Sequence, residues 1–282
     1  MSLKICFSIL SRANFSRVKS VIKGAIENPN ITPIVIVGCG AICDDYGNIL
    51  EDCKAEGIKI HEKISTLMHD KSDLNMVRTT ALGMFDYSMI LEKYKPDAAI
   101  TVADRYETIG FAISCAYMKI PLIHLQGGEP TGCIDDKVRN AIAQLADYHF
   151  VCNDNAYKLT INWGENNDRV FNVGCPSLDH IKKFESIEDF KKKSYLINKK
   201  LKTNINFSEK YCVLLFHPDT RKENQDFDVV IQSVIKFVEN KKIGLIILNP
   251  NPDSGSKEIQ NQINKIKSDL IKKEISNKIF II

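Results

Sequence analysis

Residues 121–139 read PLIHLQGGEPTGCIDDKVR. Pro121 to Leu125 is an apolar, strand-like run, and a helical period resumes at Lys137. Between them lie paired glycines, the carboxyl groups of Glu129, Asp135 and Asp136, and then Arg139. A strand that empties into such a loop and continues as a helix is part of a βαβ unit, and loops in that position hold polar ligands.

The same rhythm extends outward in both directions. Apolar runs rich in β-branched residues predict strands at Lys4 to Leu10, Thr32 to Gly38, Lys59 to Ile64, Ala98 to Ala103, His149 to Cys152 and Val170 to Val173. Helical periodicity predicts helices at Asn14 to Glu27, Asp73 to Tyr94, Arg105 to Lys119, Lys137 to Tyr148 and Asn155 to Trp163. This βαβα order gives the α/β class, a parallel sheet covered by helices on both faces. A lysine-rich segment from Ile181 to Lys210 interrupts it and is expected to connect two domains, 1–180 and 181–282. The rhythm restarts with strands Tyr211 to Phe216, Ile243 to Leu248 and Lys278 to Ile282 around helices Phe227 to Glu239 and Ser256 to Glu274. Three strands and two helices cover a parallel sheet poorly, and the chain stops within a strand, so the second domain is expected to be incomplete.

Composition excludes several classes. The 282 residues are 44% hydrophobic and 26% charged, as in ordinary soluble proteins. No apolar run approaches the roughly 18 residues of a membrane helix, and the first ten residues do not resemble a signal peptide. Nine cysteines without a CxxC pair are expected to be reduced thiols of a cytoplasmic protein, and Cys39 with Cys43, the nearest pair, is not expected to bind metal. The net charge of +3 does not suggest a nucleic-acid partner. Through Asp179 there are 18 basic and 22 acidic residues, and from His180 onward 20 and 13, so the two parts carry −4 and +7. Solvated helix faces explain the basic part, and attraction of an anion to a cleft between the parts is an additional possibility.

In doubly wound domains ligands sit beyond the carboxyl ends of the strands. There the sequence places Arg12 and Ser16 after the first strand, Asp104 and Arg105 after Ala103, the loop from Gln126 to Asp136, and His217 in Phe216-His217-Pro218-Asp219-Thr220-Arg221. Arg12 and a helix N-terminus suit a phosphate, whereas Asn14 and Asp104 are also ordinary helix caps. His61, His69 and His180 are expected in surface or core roles, His124 and His149 packed on strands, and Trp163 in helix packing.

These residues resemble a known family. Asp44-Asp45-Tyr46-Gly47-Asn48, Ala103-Asp104-Arg105, the pattern HxxGGExxGxIDDxxR from His124 to Arg139, Ala146-Asp147-Tyr148-His149, Gly174-Cys175-Pro176-Ser177 and Phe216-His217-Pro218 look like the hydrolysing UDP-N-acetylglucosamine 2-epimerases. The resemblance implies two Rossmann-like domains in the GT-B arrangement, a nucleotide-sugar substrate, no metal or nicotinamide cofactor, and a homodimer or homotetramer. It implies hydrolysis of UDP-N-acetylglucosamine to UDP and N-acetylmannosamine through a 2-acetamidoglucal. Carried over by position, Asp104 and Asp135 are the carboxylates of elimination and hydration. Arg12, Ser16, Arg105 and His217 lie near the diphosphate or sugar, and Glu129 and Arg139 orient substrate or loop. Many members have a catalytic Glu where this chain has Gln126, and an amide cannot exchange a proton as a carboxylate does. Glu129 or Asp136 is then expected to take that role, or Gln126 to bind substrate only. A Ser-Ser-Gly loop and an acidic residue expected from the resemblance do not occur by Ile282, so this chain alone is expected to hold nucleotide weakly. The same chemistry on a UDP- or GDP-2,4-diacetamido-6-deoxy sugar, a GT-B glycosyltransferase, and a non-catalytic nucleotide-sugar-binding protein remain as alternatives.

Overall fold

A computed structural model of the chain describes residues 2–44, 47–68, 72–181, 186–217, 227–250, 255–272 and 279–281. The chain divides into two compact units, Met1–Ile181 and Lys182–Ile282.

The first unit holds strands β1 (Leu3–Ile9), β2 (Ile31–Gly38), β3 (Glu62–Ile64), β4 (Ala98–Val102), β5 (Leu122–Leu125), β6 (Tyr148–Val151) and β7 (Val170–Asn172). Helices α1 (Arg12–Glu27), α2 (Leu50–Ala55), α3 (Asp73–Tyr94), α4 (Tyr106–Tyr117), α5 (Ile134–Leu145) and α6 (Asp154–Asn162) lie between them. All pairings are parallel, in the order β3-β2-β1-β4-β5-β6-β7. Chain order therefore reverses between β1 and β4, the switch point where such sheets open a crevice.

The two-residue period of a strand decides which side each residue packs. Phe7, Ile9, Val35 and Val37 meet Val18 and Ile22 of α1. Cys6, Ile34 and Ile36 meet Tyr87 and Leu91 of α3 and Phe111 and Ala112 of α4 on the opposite face. Burial on both faces is why these strands read as nearly continuous apolar runs. Three of them end in buried non-glycine residues with left-handed backbone: Cys39 after β2, Ala103 after β4 and Gln126 after β5, at φ 50°, 61° and 62°. Each such residue costs roughly 1–2 kcal/mol, and such strain tends to collect at functional edges.

Several sequence expectations change. The helix expected at Lys137 to Tyr148 starts at Ile134 and ends at Leu145, so Asp135 and Asp136 lie in its first turn. α2 was not foreseen, because six residues carry too little period to register. The lysine-rich connection contains α7 (Ile187–Leu201), where the Ser186 hydroxyl accepts from the Asp189 amide at 3.0 Å. Glu188 and Asp189 occupy its first turn and Lys199 and Lys200 its last, matching the helix dipole.

The second unit continues with β8 (Tyr211–Leu215), α8 (Phe227–Lys241), β9 (Gly244–Leu248), α9 (Ser256–Lys272) and β10 (Ile279–Ile281). Its parallel sheet has the order β10-β9-β8. Phe227, Ile231 and Ile235 of α8 and Ile259 and Ile263 of α9 bury Leu245 and Ile247. Tyr211, Val213 and Leu215 of β8 are exposed. Among the described residues, no helix is long and apolar enough to cross a membrane.

Candidate functional site

The turn from β1 into α1 is fixed by a reciprocal cap. The Ser11 hydroxyl accepts from the Asn14 amide at 3.2 Å, and Asn14 Oδ1 accepts from the Ser11 amide at 3.1 Å. Ser11, not Asn14, is thus the N-cap, which starts the helix at Arg12. Asn14 Nδ2 also donates to the Val102 carbonyl at 3.4 Å, tying this turn to the end of β4 across the switch point. Arg12 and Ser16 are exposed on the first turns of α1. A Cβ on Gly47 would come within 2.8 Å of Arg12 Cδ, so the Gly47 backbone lies directly against the arginine stem.

Asp104 follows β4, and it does not cap α4. That N-cap is Arg105, without a side-chain cap bond, while Asp104 pairs with the Arg139 Nη2 of α5. Arg139 is 4% exposed, and its Nη1 donates to the Glu129 carbonyl and, at 3.0 Å, to Asp136 Oδ1. Asp136 in turn accepts from the amide and hydroxyl of Thr131 and from the amide of Gly132, each at 2.7 Å. The first turn of α5 therefore folds back and grips the loop that precedes it. Asp136 is committed to loop shape, while Asp135 sits half-buried in the same turn.

Burial first, and the Arg17 guanidinium second, pull Arg139 down to about 10. It stays charged at neutral pH. Arg17 is a half-buried residue of α1 that the sequence did not single out, and it brings a second cation toward the Asp104–Arg139 pair. Its only sequence signal is its place on the same helix as Arg12 and Ser16. Arg105, expected beside a nucleotide, is 8% exposed and bonded to the fully buried Glu107, Nε to Oε2 at 3.2 Å. It lies over the Tyr106 ring, 5.1 Å from the centroid.

Gln126 is 4% exposed, and its Nε2 donates to Cys175 Sγ at 3.2 Å. Glu129 Oε1 accepts from Asn153 Nδ2 at 3.1 Å, at the edge of an open cavity of about 530 Å³ that Asn155, Lys158 and Asn162 also line. Beneath the loop, His124 is fully buried and its Nε2 lies 2.8 Å from the Ala103 carbonyl. Desolvation pushes its pKa down to about 4, so the ring is neutral near pH 7 and its Nε2–H donates to that carbonyl. This bond supports the left-handed corner from which Asp104 projects. His149 pairs with His124 in register and is likewise buried, with its pKa lowered by desolvation.

The sequence profile of the UDP-N-acetylglucosamine 2-epimerases matches residues 25–278. The chain belongs to this 2-epimerase family. Similar curated 2-epimerases include the hydrolysing UDP-N,N'-diacetylbacillosamine 2-epimerase of Legionella pneumophila, 28% identical over 93% of the chain and 68% of its own length. The hydrolysing GDP/UDP-N,N'-diacetylbacillosamine 2-epimerase of Campylobacter jejuni is 29% identical over 89% of the chain and 63% of its own length. The chain thus spans about two thirds of the length of these relatives. Among solved 2-epimerase structures, UDP-GlcNAc 2-epimerase from Neisseria meningitidis bound to UDP-GlcNAc superposes with a TM-score of 0.75 at 16% identity, over 99% of this chain and 72% of its own. The fold is therefore that of the 2-epimerases.

Of the expected site residues, Asp104, Glu129 and Arg139 are joined in one hydrogen-bonded network. Gln126 and Asp135 lie on the two flanks of the same loop, and Arg12 and Ser16 follow β1, which pairs with the β4 strand that ends before Asp104. His217 is exposed after β8 in the second unit, while Asp45, Tyr46, His69 and residues 218–221 lie outside the described residues. Among the described residues, no cluster of three His, Cys, Asp or Glu could hold a metal ion.

Proposed function

We propose that the chain provides the catalytic unit of a hydrolysing 2-epimerase acting on a UDP-linked 2-acetamido sugar. The observation that carries this reading is the Asp104–Arg139 pair at the carboxyl end of β4, beside the switch point and gripped by the α5 loop. The C2–H of a resting sugar is not acidic. The anomeric C–O bond must break ahead of proton loss, giving an oxocarbenium-like transition state that fixed carboxylates stabilise. UDP leaves with the bonding electron pair, a carboxylate takes the C2 proton, and a C1=C2 double bond forms. Water then adds its oxygen to C1 while a proton reaches C2 from the other face, so two groups share the proton work.

Asp104, oriented by Arg139 and backed by His124, is assigned to one face, and Asp135 to the other. Gln126, an amide donor, binds rather than exchanges a proton, and Glu129 orients the loop or substrate. Arg12, Arg17 and the α1 N-terminus receive the charge that develops on the departing diphosphate, with Ser16 beside them.

For the sugar we assign the 2,4-diacetamido-6-deoxy class, supported by the names of the Legionella and Campylobacter relatives. UDP-N-acetylglucosamine is the second reading, favoured by the ligand named with the Neisseria structure. Release of UDP measured with each sugar decides between them. UDP-N,N'-diacetylbacillosamine is expected to be turned over with at least about tenfold higher kcat/KM. The reverse preference selects UDP-N-acetylglucosamine, and no release from either refutes the proposal.

A further inference from the structure

Two thiols stand beside Gln126 at the carboxyl edge of the first sheet. β6 ends at Val151 and β7 at Asn172, and the Val173 amide still donates to the Val151 carbonyl at 3.0 Å. Cys152 and the segment Val173–Cys175 therefore leave the sheet side by side. Gly174, at φ 78°, turns the chain immediately before Cys175. Gln126 Nε2 donates to Cys175 Sγ at 3.2 Å, and both Gln126 and Cys175 lie near enough to the Cys152 thiol to influence its ionisation. Both cysteines are partly accessible, whereas Cys6, Cys39, Cys53 and Cys115 are buried.

We propose that Cys152 and Cys175 are a thiol–disulfide pair, closed by a low-molecular-weight disulfide, and that closure removes the thiol to which the Gln126 amide is bonded. In the first step the Cys175 thiolate attacks one sulfur of the small disulfide, forming a mixed disulfide and expelling one small thiolate, which takes up a proton. In the second, the Cys152 thiolate attacks the Cys175 sulfur, closes the protein disulfide and expels the second small thiolate. Two electrons pass to the small disulfide, and the two thiol protons of the protein end on its two thiols. Burial raises the Cys152 pKa to about 12, so Cys152 is a poor first nucleophile and resolves the mixed disulfide slowly. Closure from the mixed disulfide then accelerates about tenfold per pH unit below that value. The partnership also gives the amide at position 126 a use, because a carboxylate there has no N–H to donate to sulfur.

The test needs no turnover, so its outcome is independent of the sugar reaction. The intact chain is incubated with oxidised glutathione, blocked with N-ethylmaleimide, digested and mapped by mass spectrometry. A cross-linked Cys152–Cys175 peptide, reversed by dithiothreitol and formed faster at pH 8 than at pH 7, is expected. Cys152→Ser should stop at a glutathione adduct on Cys175. Alkylation of both cysteines after oxidation in the unmodified chain overturns the proposal whether or not the variant folds. So does an adduct that accumulates on Cys152 instead.

Discussion

Asp104 shows how far one residue can be read in a sequence. Its place after a strand is compatible with a helix cap or with catalysis, and only its partner separates the two. That partner is 35 residues away, a separation over which local propensity carries no information. Arg139 was visible in the loop motif, and its i,i+3 pair with Asp136 is local to α5, but its bonds to Asp104 and the Glu129 carbonyl, and the approach of Arg17, arise from tertiary packing. Asp104→Asn is expected to lower kcat/KM by about 10²–10⁴-fold in a UDP-release assay. Because it leaves the buried Arg139 guanidinium with Asp136 as its remaining counter-ion, it should also lose about 1–2 kcal/mol in urea unfolding. Lost activity without lost stability would mean that the pair does not hold the site together.

His124 is a second residue-scale case. Its folded pKa, about 4, lies below the 6.5 of an unperturbed histidine, so the unfolded chain binds more protons between those limits. Its contribution to stability is complete above pH 6.5 and is lost as pH falls through about 4, roughly 3 kcal/mol in all. His124→Gln keeps an N–H for the Ala103 carbonyl and removes the titration. The pH dependence of unfolding should be shallower in the variant by that amount. His61 and His180, also lowered, remain in both proteins, so the difference reports His124 together with its interaction with His149.

At the scale of elements, strand and helix order was legible because alternating apolar runs and 3.6-residue periods survive in β1 to β7 and α3. Where the structure departs from expectation, backbone hydrogen bonding decides. α1 begins two residues early because Ser11 and Asn14 cap each other, and α5 three residues early because Asp136 faces back onto Thr131 and Gly132. Asp136→Ala should therefore raise amide exchange at Thr131 and Gly132 selectively, measured by hydrogen–deuterium exchange. Unchanged protection there would contradict the clamp. Gly128 fastens the same loop to α6. It has φ 77°, and a Cβ would approach the Ala156 carbonyl oxygen to 2.6 Å and Thr160 Oγ1 to 2.9 Å. Gly128→Ala combines a left-handed backbone with a clash against backbone, so a loss of about 2 kcal/mol or more in thermal or urea unfolding is expected.

At the scale of the molecule, the sequence pattern yielded the α/β class and the family. The family profile and the parallel sheets agree with both. Gln126 could be read as a departure but not explained, since its contact with Cys175 joins residues 49 apart. What most directly tests the proposed chemistry is proton NMR of the nucleotide sugar incubated with the protein in D₂O. Elimination and hydration should give free UDP together with a reducing 2-epimeric amino sugar carrying deuterium at C2. A sugar that stays nucleotide-linked, or a free sugar with protium at C2, would contradict it.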